Sequence, residues 1–190
     1  MGNIGIKSRQ VALGGVISAL CIALLFLGGA ANLTIVVPMA AGALIMLVAV
    51  EVGKGPALCA WVAVSALALL ITPNRVVALT FALLYGYYPI AKQKLERLPR
   101  KTVEYACKLL IFNAGTLAAV FIAIFVFGAS ETVQGIWGRL DMDPWFALIL
   151  GNVLVGSFAC VVYDRLLTQC YMLYIERYRQ KLFRGAKWGS

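Results

Sequence analysis

Six apolar runs, set apart by short polar or basic segments, account for most of this chain, and they restrict it to a fold whose helices face lipid as well as one another. The runs cover residues 11–27, 35–50, 57–71, 76–90, 106–127 and 145–162. A backbone in hydrocarbon has no water to bond with, so each run must satisfy its own N–H and C=O groups as a helix. Composition points the same way. The 190 residues are 62% hydrophobic and 13% charged, with a mean hydropathy of +0.88, whereas a soluble domain has roughly 45–50% apolar and about 25% charged residues. A chain this short cannot bury such an excess in its own core. The expected fold is an all-α, polytopic transmembrane bundle of six helices forming one domain over residues 1–190.

Several runs are shorter than the roughly 20 residues that cross a bilayer. Runs two to four are the shortest, as buried, tilted or broken helices would be. Charge provides an independent check on the count. With the N-terminus in the cytoplasm, inner segments hold fifteen of the seventeen Lys and Arg residues, and outer segments hold only Arg75 and Arg139. This is the positive-inside pattern, alternating across every expected span, and it places both termini on the cytoplasmic side of the cell membrane. Lys7 and Arg9 before the first run resemble the start of a signal peptide. The run exceeds the usual h-region of about 7–15 residues, so it is expected to remain as a span.

The net charge of +9 would suggest nucleic acid in a soluble protein. Here the basic residues lie between apolar runs, so the bilayer is the expected partner and nucleic acid is not. The segment Lys92–Lys101 is expected on the cytoplasmic leaflet, drawn by anionic lipid. Residues 163–187 read as a basic amphipathic helical extension of the last span, which anchors the chain to lipid or docks a protein.

The chain has no histidine, no GxxxxGK[ST] loop and no GxSxG elbow. His-based catalysis and the common zinc sites are thereby excluded, as is ATP hydrolysis at a P-loop. The five cysteines show no CxxC spacing and read as small buried hydrophobes. No cofactor, metal site or enzymatic activity is expected. The remaining enzymatic possibility is lipid chemistry at Asp141 and Asp143.

Polar residues amid the apolar runs are the candidates for binding. Asn113 with Thr116 in run five, and Asn152 in run six, need partners in hydrocarbon and should face inward, as structural links or as ligand contacts. On the outer side, Asn32, Asn74, Arg75 and Trp137 combine amide, cationic and aromatic groups that suit a small polar ligand under loops, and equally an ordinary wet surface. Gly15, Ala19 and Ala23 recur every four residues in run one. This small-residue face allows close helix approach, either within the bundle or to a partner. Pro89 after Tyr85-Gly86-Tyr87-Tyr88 is placed to kink or end the fourth helix.

The basic N-terminus leading into Arg9-Gln-Val-Ala-Leu-Gly-Gly-Val-Ile-Ser-Ala-Leu resembles the opening of the substrate-binding membrane subunits (S components) of energy-coupling-factor transporters. Those subunits are of similar length, have six helices with both ends inside, and carry a small-residue motif in the first helix. The resemblance implies capture of a micronutrient such as a vitamin from outside. A transmembrane coupling subunit and two cytoplasmic ATPases would power its uptake. It also implies that Gly15, Ala19 and Ala23 contact the coupling subunit, and that Asn32 lies near the ligand. The competing expectation is a membrane interaction or assembly protein with no small-molecule ligand.

Overall fold

The computed structural model describes residues 2–96, 101–126 and 144–175, and every described element is helical. The elements are α1 (Gly2–Ala30), α2 (Val36–Glu51), α3 (Lys54–Ile71), α4 (Arg75–Thr80), a π turn (Phe81–Tyr85), α5 (Tyr88–Leu95), α6 (Lys101–Phe125) and α7 (Pro144–Leu173). Each expected apolar run falls on a helix, except that the fourth falls on the broken rod α4–π turn–α5. Trp137, Arg139, Asp141, Asp143 and the tail beyond residue 175 lie outside the described residues.

Among the described residues, four helical segments are long and apolar enough to cross a membrane: Gln10–Ala30, Lys54–Ile71, Lys101–Phe125 and Ile149–Leu173. Only 11–28% of the most apolar stretch of each is buried inside the bundle. Leu70, Leu110 and Phe158 are 82%, 71% and 73% exposed, so each helix turns large apolar side chains outward. Such faces belong in hydrocarbon. The protein is an all-helical, polytopic, membrane-embedded bundle.

The short second run has a structural reason. At about 1.5 Å per residue, the 16 residues of α2 reach only about 24 Å. This helix is central, packing on α1, α3, α4, the π turn, α5 and α7. Ala41, Ile45 and Val48 are fully buried along it. Close packing at its ends is set by small residues. A Cβ on Gly28 would lie 2.5 Å from Val37, so the end of α1 meets the start of α2 without side-chain clearance. Asn32 takes the left-handed conformation (φ 56°) that turns the chain between them. Gly53, at φ 114°, does the same between α2 and α3, where a side chain would be strained.

Helix α3 stops where Thr72 becomes extended before Pro73. Asn74 then caps α4, its Oδ1 accepting the Val76 N–H at 3.0 Å. The fourth rod breaks at the π turn, where the Gly86 N–H bonds to the Phe81 carbonyl at 2.7 Å instead of that of Ala82. The Ala82 carbonyl left over accepts from Trp61 Nε1 at 3.1 Å. Pro89 has no N–H for the Tyr85 carbonyl, which accepts from the Tyr163 hydroxyl at 3.0 Å instead. The Ala82 and Tyr85 carbonyls thus gain side-chain donors, which is how an irregular backbone is tolerated at membrane depth.

Helix α7 runs without interruption past residue 162 to Leu173. The start of the expected tail is therefore part of the bundle, with Tyr163 and Leu167 buried. Two cores result. One joins α1, α2, α3 and α4 around Cys21, Leu25, Ile45 and Val64. The other joins α2, the broken rod, α6 and α7 around Tyr85, Tyr88, Phe112 and Tyr163. Those four rings pack edge-on or tilted, with centroids 4.8–5.9 Å apart.

Candidate functional site: a cavity and a buried ion network

A cavity of about 350 Å³ opens among α4, the π turn, α6 and α7, toward the end of the bundle where α1 gives way to α2. Small residues make the space: Ala119 and Ala123 on α6 face Gly151, Gly156 and Ala159 on α7. Tyr85 and Phe112 line it on the side nearer the aromatic core. The polar side chains among its described lining residues are Thr80, Thr116, Asn152 and the phenol of Tyr85.

Their hydrogen bonds follow from the helices that carry them. Thr80 donates back to the Val76 carbonyl at 2.6 Å, and Thr116 to that of Asn113 at 2.8 Å. Asn152 Nδ2 then crosses from α7 to Thr116 Oγ1 at 3.2 Å. Asn113 stands one helical turn from Thr116 and does not line the cavity. Its Nδ2 donates to Leu109 O at 2.9 Å and to Ser157 Oγ at 3.2 Å. Its Oδ1 is buried against Gly156 with no hydrogen-bond partner among the described residues. The two amides expected in mid-bundle are thus both used to join α6 and α7, and Asn152 also reaches the cavity.

Asn32, Asn74 and Arg75 come together at the rim, around a shallow open groove that shares Val76 with the cavity wall. Asn74 Nδ2 donates to Asn32 Oδ1 at 3.0 Å. One Asn74 side chain therefore caps α4 and ties the α1–α2 turn to the α3–α4 turn. Trp137 lies outside the described residues.

Gly15, Ala19 and Ala23 are exposed. They lie on the face of α1 opposite Cys21 and Leu25, which point into the core. A Cβ on Gly15 would have nothing within 4 Å. Packing within the described bundle does not use this face.

Sequence reasoning missed a second constellation at the opposite end of the bundle. Lys92 of α5, Lys108 of α6 and Asp164 of α7 converge, with the two lysine residues 6% and 3% exposed. Lys92 Nζ lies 2.8 Å from Asp164 Oδ1 and also donates to the Asp164 carbonyl and to Thr168 Oγ1. Lys108 Nζ is 2.6 Å from Glu104 and 3.4 Å from Asp164. The Tyr88 hydroxyl donates to Asp164 Oδ1 at 3.1 Å. Two cations and two carboxylates balance, and half-exposed Glu96 reaches both lysines from the edge at 3.6 and 3.8 Å. Lys92 was expected at the lipid surface; the structure instead buries its head group, because Asp164 supplies the counter-charge. One sequence signal was available: Glu104–Lys108 has the i,i+4 spacing of a helical ion pair, beside an apolar run.

No family profile, curated protein or solved structure matches the chain.

Proposed function

We propose that this chain is the substrate-binding membrane subunit of an energy-coupling-factor type micronutrient uptake system, with ATP hydrolysis supplied by partner subunits. The observation that carries this reading is the cavity among α4, α6 and α7. At about 350 Å³ it falls within the roughly 300–1,000 Å³ of small-molecule pockets. Counting the broken rod as one crossing gives six, and the basic residues then orient the bundle with both termini in the cytoplasm. In that orientation the cavity opens toward the outside, the side from which a nutrient arrives. The outward small-residue face of α1 at Gly15, Ala19 and Ala23 supports a transmembrane coupling subunit as its partner.

The test is purification in mild detergent, mass spectrometry of co-purifying small molecules, and a vitamin screen by thermal stabilisation. A ligand should raise the melting temperature of the wild type but not of the doubly filled variant Ala119→Leu/Ala123→Leu. Equal stabilisation of both proteins would show that the cavity is not the ligand site.

A further inference from the structure

The cavity wall also specifies what kind of molecule it accepts, an inference that rests on reading the cavity as a ligand site. We propose that the ligand is compact, uncharged and mainly apolar, with one hydrogen-bond donor group that pairs with Asn152.

None of the sixteen described residues that line it is Lys, Arg, Asp or Glu. An ion entering this space would lose its hydration with no counter-charge in return, which is prohibitive in an apolar surround. The nearest described cluster of buried charge is the network of Lys92, Lys108 and Asp164. It lies beyond the aromatic block of Tyr85, Tyr88, Phe112 and Tyr163, and its charges already pair with one another. The described wall therefore offers a charged ligand no counter-ion; Arg75 stands at the rim, outside that wall.

The polar demand is equally specific. The hydroxyls of Thr80 and Thr116 are committed to carbonyls of their own helices. Asn152 uses one Nδ2 hydrogen on Thr116, and its Oδ1 accepts no bond among the described residues. A carboxamide oxygen at an apolar wall favours a ligand N–H or O–H. The rest of the wall, built by alanine, glycine and aliphatic side chains, favours a ring or short chain.

The experiment uses the full chain in lipid nanodiscs, with empty nanodiscs as the partition control. Three probes share one skeleton: 3-phenylpropanamide, 3-phenylpropanoate and 3-phenylpropylamine. Binding is measured by equilibrium dialysis. The amide is expected to bind at least about tenfold more tightly than either ion, a ratio set by the missing counter-charge. Asn152→Leu should weaken binding of the amide while both ions stay excluded, because it removes the acceptor and adds no counter-charge. The near-isosteric Asn152→Asp should transfer the preference to the ammonium probe, which a merely structural role for Asn152 would not do. If either ion binds the wild type as well as the amide, the ligand class is wrong while the cavity reading stands. Amide affinity unchanged in Asn152→Leu, with no gain for the ammonium probe in Asn152→Asp, overturns the role of Asn152. Failure of all three probes to exceed empty nanodiscs rejects the cavity as a ligand site, and this inference with it.

Discussion

The Tyr163 hydroxyl donates to the carbonyl oxygen of Tyr85 at 3.0 Å, occupying the bond that Pro89 denies to its own helix. Gly42 makes room for this joint. A Cβ there would collide with both the Tyr163 hydroxyl and the Tyr85 carbonyl. Three elements, α2, the π turn and α7, therefore meet at one hydrogen bond beside the cavity.

Tyr163→Phe keeps the ring and removes the donor, leaving a buried carbonyl without a partner. The expected loss is roughly 1–2 kcal/mol, toward the upper end of values for polar contacts between membrane helices. Gly42→Ala should cost at least as much, since the two backbones must separate to admit the methyl group. Thermal unfolding in detergent, followed by circular dichroism, measures both. A Tyr163→Phe protein as stable as wild type would mean that the Tyr85 carbonyl has another donor.

The ion network predicts a reversal of sign between single and double substitutions. Asp164→Asn leaves Lys108 paired with Glu104 but buried Lys92 facing only half-exposed Glu96 at 3.6 Å among the described residues, and breaking a buried pair costs about 3–5 kcal/mol. Adding Lys92→Met to Asp164→Asn removes that poorly compensated cation and keeps the Lys108–Glu104 pair. Much of the lost stability should therefore return, as a double-mutant cycle would record. Additive losses in the cycle would show that the residues act independently.

The outward face of α1 predicts separable effects on stability and partnership. Gly15→Leu with Ala19→Leu meets no neighbouring atoms at Gly15 and replaces a poor helix former. The isolated protein should be unchanged or slightly more stable, by up to about 1 kcal/mol. Recovery of a transmembrane partner, and any uptake that depends on it, should fall sharply. Unaffected uptake would remove the partner assignment for this face.

Much of the architecture was legible from apolar runs, because in lipid the backbone must be helical wherever the side chains are apolar. Pro89 also announced a break in the fourth helix. Its repair was not legible, since Trp61 and Tyr163 are 21 and 78 residues from the carbonyls they reach. The short run of α2 looked like an incomplete crossing because length alone does not reveal that neighbours surround it. Charge was the harder case. Lys92, Lys108 and Asp164 stand at the ends of apolar runs, where a basic residue reads as a topology marker. Only the packing of α5, α6 and α7 shows that they neutralise one another. At the rim, Asn32 and Asn74 stood out as polar groups between spans, but their mutual bond depends on two turns meeting.

Orientation provides the last prediction. Asn32 lies in the α1–α2 turn and Lys54 begins α3, so they mark opposite ends of the central helix α2. The positive-inside bias, fifteen Lys and Arg against two, predicts Lys54 in the cytoplasm and Asn32 outside. A membrane-impermeant maleimide added to intact cells should label Asn32→Cys above the wild-type background. Lys54→Cys should react only after permeabilisation. Cys21 and Cys160 are buried and contribute little to that background, whereas exposed Cys59 and Cys170 make the wild-type control essential. Labelling of Lys54→Cys in intact cells would invert the bundle. The cavity would then open to the cytoplasm, and capture of a nutrient from outside would no longer be a workable role.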